Sequence, residues 1–130
     1  GHSMGSMTIN TYLLRNSKLP LAGVIFNAPF FGMSKNMNIT WDKAFILRKL
    51  AKPLEDFMLN GGIMLQGLCH NQSWIRKMIQ NRRSVPLLNS QACSSFLDAL
   101  SHLHRNAKNF DYPYLLLLAE KDGLVDNECA

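Results

Sequence analysis

Two kinds of hydrophobic pattern alternate along the chain. Met4, Met7, Ile9, Tyr12, Leu13 and Leu14 recur at helical spacing and predict a helix from Ser3 to about Asn16, closed by Asn16-Ser17. After a turn at Lys18-Leu19-Pro20, an apolar run from Leu21 to Ala28 ends at Pro29. A second run, Tyr114 to Ala119, follows Pro113. Such runs predict parallel strands covered on both faces.

Between the two runs the pattern is helical. Thr40 is the predicted N-cap of a helix carrying Trp41, Ala44, Phe45, Leu47, Leu50 and Ala51, and Pro53 then opens a short helix that Gly61-Gly62 ends. Trp74, Ile75, Met78 and Ile79 mark one face of a helix near Gln72–Arg83. Phe96, Leu100, Leu103 and Ala107 mark another, from about Ser90 to Lys108. There are no internal repeats.

A crossover between neighbouring parallel strands needs only about a dozen residues. Here about 85 separate Ala28 from Tyr114. So long a connection, with amphipathic helices of its own, reads as an inserted subdomain. The expected organisation is an α/β core in residues 1–35 and 110–130, with a helical cap in 36–109. The fold class is α/β, a partial core of parallel strands with flanking helices and an inserted helical cap.

Composition fits a single globular domain: 130 residues, 47% apolar and 18% charged. No apolar run approaches the roughly 18 residues that cross a bilayer as a helix. Three widely spaced cysteines, Cys69, Cys93 and Cys129, exclude a disulfide scaffold and suit a reducing compartment, so a cytoplasmic location is expected. The net charge of +5 is uneven: residues 36–109 hold ten Lys/Arg against four acids. A basic middle could face an anionic surface, and peripheral contact with a membrane is one reading. No nucleic-acid motif or aromatic-interleaved basic stripe accompanies it, so no nucleic-acid partner is expected. The bland reading, a solvated helical face, weighs more than either.

The chemistry gathers at two places. The chain opens directly on Gly1-His2-Ser3-Met4-Gly5, a G-x-S-x-G pattern with no strand before it, and so reads as an internal piece of a longer protein. In this pattern a serine stands on a sharp strand-to-helix turn with its hydroxyl exposed at the positive end of the helix. Gly1 and Gly5 are expected to spare the turn Cβ clashes, and the Met4 backbone N–H to supply half of an oxyanion hole. Chance alone gives roughly 0.04 such motifs in a chain of this composition. The second place is Glu120-Lys121-Asp122-Gly123, where Asp122 leaves the carboxyl end of a parallel strand.

Together Gly-His-Ser-Met-Gly, Leu-Ala-Gly-Val-Ile-Phe-Asn-Ala-Pro and Pro-Tyr-Leu-Leu-Leu-Leu-Ala-Glu-Lys-Asp-Gly-Leu-Val resemble an α/β-hydrolase. The likeness is to the monoacylglycerol lipase and lysophospholipase group, whose domain family includes serine aminopeptidase-like members. The resemblance implies Ser3 as nucleophile, Asp122 as acid and Met4 N–H in the oxyanion hole. It implies a base histidine and a second oxyanion donor that this sequence does not supply. Ser6 stands where many relatives have a second glycine.

His102 and His104 precede Asp122, against the order serine, acid, histidine. They read as structural, His70 as solvated, and His2 as a local packing residue of the elbow. The expected activity of the parent protein is serine ester hydrolysis of a monoacylglycerol or lysophospholipid, with no metal or organic cofactor required. The partner is then a small lipid or ester substrate. A peptidase or acyltransferase on the same scaffold is the alternative, as is a non-catalytic binding module that retains the elbow.

Overall fold

The computed structural model describes residues 1–16, 19–34, 41–50, 53–54, 57–60, 69–81 and 87–130. Helix α1 (Met4–Arg15) follows the elbow, and strand β1 (Val24–Asn27) follows α1. The middle holds α2 (Trp41–Leu50), β2 (Met58–Asn60), α3 (Gln72–Gln80) and β3 (Leu87–Asn89). Helix α4 (Ser90–Asn106) and strand β4 (Tyr114–Leu117) complete the order.

Strands β1 and β4 pair in parallel, from Val24 opposite Tyr114 to Asn27 opposite Leu117, as the two apolar runs predict. Both are shorter than their runs, and at the start of β1 the reason is local. Pro113 has no N–H to give a ladder, but its carbonyl accepts from Val24 N–H at 2.9 Å, so pairing begins there. A Cβ at Gly23 would come within 3.0 Å of that same carbonyl oxygen.

Gly1 and His2 supply a further parallel rung on the other side of β1. The Gly1 ammonium donates to Ile25 O at 2.7 Å, and Asn27 N–H donates to Gly1 O at 2.8 Å. The elbow is therefore backed by paired backbone, although the sequence suggested no strand before it.

The sheet's two faces differ. Val24 and Phe26 point into a core with Met7 and Leu13 of α1, Leu100 and Leu103 of α4, and Phe30, Phe31, Leu124 and Val125 from the loops. The Phe26 ring centroid lies 5.2 Å from that of Phe31 and 5.8 Å from that of Phe110. On the opposite face Ile25 and Leu115 are 56% and 52% exposed. Tyr112 ties two loops together: its hydroxyl accepts from Leu19 N–H and donates to Asn16 O, each at 3.0 Å.

The middle departs from the all-helical expectation. Where Pro53 was expected to open a helix, Pro53 and Leu54 lie in a turn and β2 follows, pairing antiparallel with β3. The expected end of that helix, Gly61-Gly62, the Thr40 cap and the basic pair Arg82-Arg83 lie outside the described residues. Helix α3 is capped by Asn71, whose side chain accepts from Ser73 and Trp74 N–H, and it ends at Gln80. Helix α4 matches its predicted span closely and is capped by Asn89, which accepts from Ala92 N–H at 2.7 Å. Its buried Leu100 and Leu103 join the sheet core. It also receives α2, through Arg48: the guanidinium pairs with Asp98 at 2.8 Å and donates to Leu97 O and Ser101 Oγ. Among the described residues no helix is long and apolar enough to cross a membrane.

Candidate active site

Ser3 occupies the N-cap position of α1, yet it does not behave as a cap. Its backbone sits at φ 50°, ψ −126°, and its side chain makes no capping bond. A serine at a helix start ordinarily spends its oxygen on an N–H of the first turn. Here the left-handed φ, unusual for a residue with a Cβ, turns the hydroxyl away from that role. The result is a half-buried serine whose hydroxyl has no hydrogen-bond partner among the described residues, at the positive end of a helix.

The strained conformation is held from both sides of its peptide. Ser3 N–H donates to Asn27 O at 3.1 Å, and Ser3 O accepts from Ser6 N–H at 2.9 Å and Phe30 N–H at 3.1 Å. As the first residue of α1, Met4 has an N–H with no acceptor inside the helix. That group is the expected oxyanion donor.

The two elbow glycines are not equivalent. A Cβ at Gly1 would lie 2.8 Å from Ser6 Cα and 2.9 Å from Ser6 N, backbone atoms that cannot step aside. Gly1 is therefore required where it stands. At Gly5 a Cβ would meet nothing within 4 Å among the described residues. The close backbone expected at Gly5 is not found among the described residues. Ser6 is fully buried against the elbow, a small side chain in a small space.

Asp122 follows the carboxyl end of β4, on the same edge of the sheet that Ser3 reaches beside β1. Its Oδ1 accepts from Leu124 and Val125 N–H, each at 2.9 Å. Two backbone donors thus fix the carboxylate in its own loop, while Oδ2 takes no hydrogen bond from the described residues. The loop is pinned in turn. Ser34 N–H donates to Leu124 O at 3.0 Å, and Asp126 N–H to Gly32 O at 3.1 Å.

None of the four histidines hydrogen-bonds Ser3. His104 Nε2 donates to Phe31 O, and His102 Nδ1 accepts from the Asn106 amide at 3.3 Å. His70 and His2 are exposed. None of the three cysteines is in a disulfide, and burial raises the pKa of the Cys93 thiol.

A family model described as serine aminopeptidase, S33, matches residues 1–130. The fold matches a monoacylglycerol lipase from Paleococcus ferrophilus with a TM-score of 0.78 at 20% identity, covering 91% of this chain and 45% of the lipase. It matches equally a soluble variant of monoglyceride lipase from Saccharomyces cerevisiae, solved with a substrate analogue. There the TM-score is again 0.78 at 20% identity, covering 99% of this chain and 45% of that one. This chain thus spans less than half the length of either structure. No curated protein matches it by sequence.

Proposed function

Because the chain belongs to the serine aminopeptidase family of hydrolases, we propose that it is part of a serine hydrolase that cleaves carboxylic esters of lipids, a monoacylglycerol or a lysophospholipid. One observation carries the reading: Ser3 is held at φ 50° with its hydroxyl left out of helix capping. The likeness of fold to two lipases, one of them solved with a substrate analogue, supports the substrate class.

In this mechanism Ser3 Oγ attacks the ester carbonyl carbon while a histidine takes its proton. The carbonyl oxygen becomes an oxyanion and accepts from Met4 N–H. Asp122 Oδ2 accepts from the far nitrogen of that histidine and stabilises the imidazolium. The alcohol leaves with the proton, and water then releases the fatty acid from Ser3. The histidine and a second oxyanion donor come from outside this chain.

A peptidase on the same scaffold is the second reading, favoured by the family description itself. Comparing a monoacylglycerol with an aminoacyl arylamide as substrates of the complete protein separates the two. The ester is expected to be preferred by at least ~10²-fold in kcat/KM. A preference for the arylamide would establish the peptidase, and turnover of neither would leave a binding module.

The middle segment would meet the lipid surface. Phe45 and Ile46 of α2 and Trp74 and Ile79 of α3 are exposed beside Lys49 and Arg76, a mixture that suits an anionic bilayer interface. The chain is expected to sediment with phosphatidylcholine vesicles only when they contain phosphatidylserine, and to detach in high salt. Failure to bind phosphatidylserine vesicles at low salt would remove the membrane from the proposal.

A further inference from the structure

We propose that the eight residues from Asn27 to Ser34 form a strap that sets the acid loop relative to the nucleophile, with Gly32 as its positioning residue. The inference rests on the reading of Ser3 and Asp122 as a catalytic pair.

At one end the strap grips Ser3. Asn27 O and Phe30 N–H engage both backbone polar groups of Ser3. This double grip needs a sharp reversal, and Ala28 supplies it at φ 41°. Ser3 and Ala28 are the two non-glycine residues at positive φ among those described, and they are neighbours across this contact. Such conformations persist only where the surroundings over-determine them. Ala28 is fastened by its N–H to Leu117 O at 2.7 Å, and Pro29 after it is fully buried.

At the other end the same segment grips the acid loop. Met33 pairs antiparallel with Val125, and hydrogen bonds flank that pair on both sides: Ser34 N–H to Leu124 O and Asp126 N–H to Gly32 O. The Leu124–Val125 peptide is the link. Its carbonyl accepts from Ser34 while its N–H donates to Asp122 Oδ1. A shift of the strap therefore reaches the carboxylate through one peptide group, and Ser3 through another.

Gly32 sets how closely strap and loop approach. A Cβ there would lie 2.5 Å from Cys129 Cβ and 2.4 Å from its Sγ. With Cys129 out of the way, the nearest remaining atom is Asp126 Cβ at 3.5 Å, an ordinary contact. The interference is thus removable by a second substitution.

The test uses the complete protein, isotope-labelled, in solution and needs no turnover, so its failure is distinct from failure of the catalytic reading. Gly32→Ala is expected to move the carboxyl 13C resonance of Asp122 and the amide resonances of Leu124, Val125, Ser3 and Phe30. Amide exchange at Leu124 and Phe30 should quicken by about tenfold, with Leu13 in α1 unaffected. Adding Cys129→Gly should return all of these to their original values. A response confined to residues 126–130, with Asp122 unmoved, would overturn the proposal, because Cys129 would then simply swing aside. So would a loss of protection spread evenly through α1, or a double variant that fails to recover.

Discussion

Ser3→Ala is expected to lower kcat for ester hydrolysis in the complete protein by on the order of 10⁴–10⁶, with KM little changed. The substitution removes the attacking atom and leaves the elbow intact, since the hydrogen bonds that hold residue 3 are made by its backbone. The 130-residue chain by itself is expected to hydrolyse a chromogenic medium-chain ester no faster than its own Ser3→Ala variant. Its elbow is formed, so a disordered nucleophile is not the cause. The cause is chemical: an alcohol without a base stays neutral at pH 7 and attacks weakly. His104 is committed to Phe31 O and His102 accepts from Asn106, both on α4. Omission of one oxyanion donor costs a further 10²–10³ or so in rate. A Ser3-dependent burst of product from the chain alone would show that His2, His70, His102 or His104 serves as base.

Phe26→Ala should cost about 3–5 kcal/mol, read as a fall in the denaturant midpoint. Phe26 is 2% exposed, and its ring packs with those of Phe31, Phe110 and Tyr114. Its neighbours belong to a strand, a strap and the turn before β4, which cannot all collapse into one void. A domain this size is stable by only some 5–15 kcal/mol, so the variant should be partly unfolded at 37 °C. Ile25→Ala, one residue away on the exposed face, is expected to change stability by less than about 0.5 kcal/mol and leave the midpoint nearly where it was. Equal losses at the two positions would mean that the sheet faces have been assigned wrongly.

The elbow and the parallel pair were legible because both are local signals. G-x-S-x-G names a turn by its residues, and two apolar runs point to a shared parallel sheet, although the expected cover on both faces is found on only one among the described residues. The antiparallel pair Met58–Asn60 and Leu87–Asn89 was not legible. Three-residue strands are too short to show alternation, and Pro53 before the first resembles a helix opening. The different surroundings of Gly1 and Gly5 were not legible either, because a motif states which residue is small and not what approaches it. The grip of Asn27 and Phe30 on Ser3 is invisible in sequence for a related reason. It is made by backbone groups, and it depends on a left-handed alanine whose side chain announces nothing.

The pairing of Val24 with Tyr114 joins residues ninety positions apart, and this governs the order in which the chain can fold. Closing a loop of that length costs about 4 kcal/mol from its logarithmic dependence alone. Helices α1 and α4 can form from local contacts within microseconds, whereas β1 gains its partner only after the whole middle segment has been gathered in. Until then Tyr114–Leu117 is an apolar strand with bare edges, able to pair with the same strand of another molecule. Refolding should therefore be slow and sensitive to protein concentration, and the middle segment, by how readily it compacts, acts as the timer of the sheet.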